Sequence, residues 1–178
     1  MFGRMIGAAV FALALSACTA QADCDARSRS VWAGSHKGIV AEASAMGATC
    51  ANAVVTLVLR DPTGKPLWVE GFVGANVMVF ADVADKQAMT KALSEWIDQK
   101  GRTMVRTDNL PDWPKGAEGP QSGEFPFYPD TGIDREMYLK LRAQKLPIFC
   151  YVQGMESMGC VALDGESITK VGLQTFPG

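Results

Sequence analysis

Histidine is almost missing from this sequence: His36 is the only one among 178 residues. A catalytic histidine is normally oriented by a third group and serves a nucleophile, and one histidine between Ser35 and Lys37 nominates neither. Glu42 is the carboxylate nearest in sequence that could support it; otherwise His36 reads as an ordinary surface or strand-edge residue. No cysteine pair has the two-residue spacing of a zinc couple or of a redox Cys-x-x-Cys motif. Basic runs are also absent. The 17 Lys and Arg residues are scattered against 19 Asp and Glu, for a net charge of −2, so the footprint that a nucleic-acid backbone requires is missing. No internal repeat and no nucleotide-binding constellation is present. No cofactor or metal site is assigned.

Long apolar runs are missing with one exception. Met5 to Leu15 is uncharged and follows Arg4. Eleven residues fall short of the roughly 20 that a spanning helix needs, but suit the apolar region of a secretory signal, about 7 to 15 residues long. Directly after it, Leu15, Ser16, Ala17 and Cys18 resemble the lipobox of bacterial lipoproteins. The resemblance implies a signal peptide over 1–17, an acylated Cys18 as mature N-terminus and membrane attachment through that lipid. In a cell with two membranes, Thr19 rather than Asp after the cysteine favours the outer one, again by resemblance. Ala20, Gln21 and Ala22 leave a second cleavage open, before Asp23, which would yield a soluble periplasmic or secreted protein.

The rest of the chain has the composition of one globular domain, 48% hydrophobic and 20% charged. Either cleavage leaves Cys24, Cys50, Cys150 and Cys160, an even number suited to two disulfides in an oxidising compartment. Three connectivities are possible. Local closure favours Cys24 with Cys50 and Cys150 with Cys160, for which the chain-entropy treatment gives roughly 3.5 and 2.8 kcal/mol.

Residues 18–35 read as a polar tether and 36–178 as a single α+β domain. Ile39 to Met46 is a weak strand candidate, and Ala53 to Leu59 a strong, β-branched one. Asp61, Pro62, Thr63 and Gly64 supply a turn before a returning strand, Leu67 to Val73. Asp82 can cap a helix with Met89, Ala92, Leu93, Trp96 and Ile97 on one face and Gly101 at its end. A second helix is expected over about 133–145, with Met137, Tyr138 and Leu141 inward and Pro147 stopping it. Ile148 to Gln153 and Gly159 to Leu163 read as a hairpin that sets Cys150 opposite Cys160, with a last strand from Ile168 to Phe176. This order predicts an antiparallel sheet of five to six strands with both helices on one face.

A loop over 103–131 resists a structural reading. It holds Pro111, Pro114, Pro120, Pro126 and Pro129 among Trp113, Phe125, Phe127 and Tyr128. Loops of this length are uncommon and often functional. The four aromatics either form a binding surface for an apolar group or peptide, or pack over a sheet face. Two further groups have plain readings. Gly154 to Gly159 is superficially similar to a serine hydrolase elbow, but its spacing is Gly-x-x-Ser-x-Gly and it lies in a hairpin. Asp130, Asp134 and Glu136 could offer oxygen ligands to a hard cation, yet Asp134 and Glu136 suit the positive end of the second helix.

These features predict an exported cell-envelope lipoprotein that binds or assembles with another envelope protein or component. An envelope-acting enzyme using His36, Glu42 or the acidic group, and an inhibitor or immunity-type protein, are the rival expectations.

Overall fold

The computed structural model describes residues 24–121 and 123–176. The expected signal peptide, Cys18 and both cleavage sites lie outside the described residues. Among the described residues the architecture is α+β with two helices, but the strands form two antiparallel sheets of four rather than one of five to six.

The first sheet is a meander of β1 (Cys24–Val31), β2 (Val40–Gly47), β3 (Val54–Arg60) and β4 (Pro66–Val73). β1 corrects the expected tether over 18–35. Its alternation puts Cys24 and Ala26 inside and Asp25, Arg27 and Arg29 outside, a period of two concealed because no large apolar residue occupies the inner positions. Ala41, Ala43 and Ala45 continue this small-residue floor on β2, and α1 (Lys86–Trp96) lies against β1 and β2. Val55, Leu57 and Leu59 of β3 point inward, opposite Phe72, Glu70 and Trp68 of β4. At the β3–β4 turn Asp61 Oδ1 accepts from Thr63 N at 2.9 Å, Thr63 Oγ1 at 2.6 Å and Lys65 N at 3.0 Å. The Thr63 hydroxyl thereby holds the Asp61 carboxyl below its usual range.

The second sheet, in the order β5-β8-β7-β6, contains β5 (Phe127–Pro129), β6 (Ile148–Val152), β7 (Ser157–Asp164) and β8 (Ser167–Thr175). Its two faces serve two cores. Phe149, Tyr151, Val161 and Leu163 join the inner face of the first sheet, Met89, Leu93 and Trp96 of α1, and Ile97 just after it. Ile148, Cys150, Cys160, Ala162 and Val171 face a second core with Phe127 and with Tyr138 of α2 (Arg135–Gln144). The helices therefore belong to different cores, which corrects their expected place on one face. A sheet covered on both sides explains why all five residues of β6 are buried. Gly172, with φ of 153°, is required where β5 meets β8: a Cβ there would lie 2.4 Å from the Tyr128 carbonyl.

Both disulfides form as expected, Cys24–Cys50 and Cys150–Cys160, and Cys150 pairs directly with Cys160 across the β6–β7 hairpin. The helix ends differ in detail. Asp85, not Asp82, caps α1 by accepting from Ala88 N at 2.8 Å, because the chain is still turning at Val83, whose N–H donates to Phe80 O. Gly101 falls beyond the end of α1 at Trp96, in a later turn. Asp134 caps α2, with Glu136 in its first turn. Met137, expected inward, is exposed. The 103–131 loop contains a 3₁₀ turn at Thr107–Asn109 and ends in β5.

Candidate functional site

The structure divides the four loop aromatics. Trp113 and Phe127 pack on Tyr138, with ring centroids 5.4 and 6.3 Å away. The Trp113 indole N–H donates to Ala117 O at 2.9 Å, while Arg135 Nε donates to Trp113 O at 3.0 Å. This half of the loop is a cover over α2. Phe125 and Tyr128 are exposed, so the loop's outward surface holds two of the four.

Beside that cover runs an apolar groove between α2 and β7–β8, lined by Ile133, Met137, Leu141, Leu146, Ala162 and Val171, with Asp164, Thr169 and Lys170 at its mouth. Its volume of about 170 Å³ is below the roughly 300 to 1,000 Å³ of small-molecule sites. The scale suits an apolar side chain of a partner. Nothing in the sequence marked this groove, because its walls come from α2 and from strands some 25 residues further along the chain.

The other expected candidates are dispersed. His36 is exposed in a left-handed conformation with φ of 52°. The oxygens of Glu42 go to Arg29 at 2.7 Å and Arg60 at 2.6 Å on the outer face of the first sheet. With Arg27 these border a broad polar hollow, in which Arg29 is exposed while Glu42 and Arg60 are partly buried. Gly154 to Glu156 form the β6–β7 turn, with Gln153 N donating to Ser157 O at 3.0 Å.

Where the sheets meet, the buried Tyr151 donates its hydroxyl to Glu70, and Lys170 Nζ stands 3.9 Å from the other Glu70 oxygen. Sequence reasoning overlooked this cluster, since its members lie on β4, β6 and β8. Burial pushes the Tyr151 phenol up from its ordinary value, and the hydrogen bond to the Glu70 carboxylate adds to the rise. The phenol therefore stays protonated when folded but ionises near pH 10 when unfolded. Stability is intact below that pH and falls above it, by about 1.4 kcal/mol per pH unit. Burial raises the Tyr138 phenol as well, which adds to the decline; urea midpoints between about pH 8 and 11 should show it, and Tyr151→Phe should make it shallower without removing it. An equally steep decline in the variant would show that another group causes it.

Comparison with protein families, with curated proteins and with solved structures finds no match for this chain.

Proposed function

We propose that this chain is an exported cell-envelope lipoprotein, anchored through an acylated Cys18, whose folded part is a non-catalytic binding or assembly module. The supporting observation is the disulfide framework: Cys24, six residues after Cys18 in the sequence, lies in β1 and is bridged to Cys50, and Cys150 is bridged to Cys160. Two internal disulfides suit an oxidising compartment. Among the described residues no helix is long and apolar enough to cross a membrane, and in this reading the acyl chains attach the protein.

Intact mass and detergent partitioning from the native host test the anchor. Wild type should carry acyl mass and enter the detergent phase, and Cys18→Ala should move to the soluble fraction. A wild type that is soluble and begins at Asp23 would replace the anchored reading with a freely diffusing periplasmic or secreted protein.

The groove beside α2 is the contact surface in this reading, and its occupant an apolar side chain of another envelope protein. Met137 is exposed at the groove, so Met137→Asp should change stability by only about 0.5 kcal/mol. It should nevertheless abolish a protein cross-link formed in growing cells from a photoreactive residue at Thr169, also on the groove. A cross-link that persists with the charge in place would put the contact elsewhere.

A further inference from the structure

Two of the uncharged stretches in the sequence are residues 43–59, between Glu42 and Arg60, and residues 71–81, between Glu70 and Asp82. The fold brings their middles together at one end of the molecule. Met46, Val54 and Val73 are direct neighbours across β2, β3 and β4. The 3₁₀ turns Cys50–Asn52 and Gly74–Asn76 that follow lie against each other, joined by Gly74 N donating to Ala53 O at 2.8 Å. Met78 N donates to Gly154 O, which adds the β6–β7 turn and Met155. Met46, Val54, Val73, Met78 and Met155 are each about half exposed. The charges next to these residues are Asp25, beside Met46 on β1 and 3.4 Å from Arg27, Glu156 beside Met155, and Asp82 four residues after Met78.

The chain enters the fold at this same end. Cys24 pairs with Gly47, and Asp25 extends the Met46, Val54 and Val73 row. Six residues can span at most about 20 Å when fully extended, so Cys18 stays within that distance of the uncharged end. Arg27 and Arg29 follow on the outward side of β1, about 7 and 14 Å beyond Asp25 at the usual rise per residue. Their guanidiniums are exposed, Arg27 beside Asp25 at 3.4 Å and Arg29 beside Glu42 at 2.7 Å, and they stand at headgroup level when the row below meets the acyl boundary.

We propose that this uncharged end is a membrane-seating surface: the domain rests on the bilayer through Met46, Val54, Val73 and Met78, with Arg27 and Arg29 at headgroup level. The proposal rests on the lipid-anchored reading and adds an orientation to it. A few half-exposed Met and Val side chains bury too little area to hold a protein to a membrane alone. A lipid within about 20 Å makes their insertion intramolecular and so effective at low intrinsic affinity. In this pose the β3–β4 and β7–β8 turns, at the far end, point away from the membrane.

The test places a benzophenone-bearing residue at Val54, at Met78, or at Lys65 in the β3–β4 turn as control, in the full-length protein in its native host. The N-terminal mass and the mass of any adduct are read together. Acylated protein should yield lipid adducts at positions 54 and 78 and none at 65. Met46→Glu with Val73→Glu should keep the acyl mass, the membrane fraction and the thermal midpoint while losing the lipid adduct at 78. Acylated protein without lipid adducts at 54 and 78, or with protein adducts in their place, overturns the seat and leaves the anchor standing. Unacylated wild type overturns the anchor and, with it, the seat.

Discussion

Trp96→Ala is expected to lower the free energy of unfolding by about 3–5 kcal/mol, the range for deleting a buried Trp or Phe side chain. Trp96 closes the last turn of α1 and is buried. Its ring meets Phe80, Phe72 and Tyr151 at centroid distances of 5.1, 5.9 and 6.1 Å, so one side chain touches β4, β6 and the segment leading into α1. Its indole N–H donates to Val152 O at 2.7 Å. Alanine would leave a cavity where the sheets meet and strip a buried carbonyl of its donor, two costs that add. Urea unfolding should give a lower midpoint at unchanged slope. A loss under about 1 kcal/mol would mean that the two sheets are held together elsewhere, since most such truncations cost several times more.

Replacing Cys24 and Cys50 together by Ala should cost about 3.5 kcal/mol, against about 2.8 kcal/mol for the Cys150 and Cys160 pair. The order follows from loop length, because the first bridge closes a separation of 26 residues and the second one of 10. Topology works in the same direction. Cys24 starts an edge strand whose inner positions are small, so the bridge does much of the holding that apolar burial does elsewhere. Cys150 and Cys160 sit on strands already paired and covered on both faces. Against a typical total of 5–15 kcal/mol, the first loss should make β1 the earliest strand to exchange its amide hydrogens. Midpoint shifts in the reverse order would mean that packing strain or residual structure in the unfolded chain outweighs loop closure.

The loss of the first bridge bears on the proposed membrane seat, because the Cys24–Cys50 bridge fixes the end that carries Met46 and Val54. An unbridged variant that kept its acyl group would stay attached but lose a rigid contact surface. In the proposed reading attachment and orientation are separable, the first set by Cys18 and the second by the disulfide and the rows of β1 to β4.

Whatever depends on neighbours along the chain is legible in the residues themselves. Alternation in Val55, Leu57 and Leu59 and the Asp61 to Gly64 turn specified the β3–β4 hairpin. The spacing of Met89, Leu93 and Trp96 specified the buried face of α1. Both disulfides were legible because each closes locally. Tertiary structure alone decided how the strands divide into two sheets, since a period of two says which residues share a face but not which strand lies beside it. The sequence of β1 reads as a tether because its inner positions hold Cys24 and Ala26, small residues that suit the nearness of α1 rather than strand propensity. Met137 was read as inward because helical spacing marks a face but not how far the neighbouring core extends. The uncharged end was present in the sequence as two separate stretches. Only the pairing of β2, β3 and β4 made them one surface and set it beside the entry of the chain, because adjacency between distant segments is a property of the sheet.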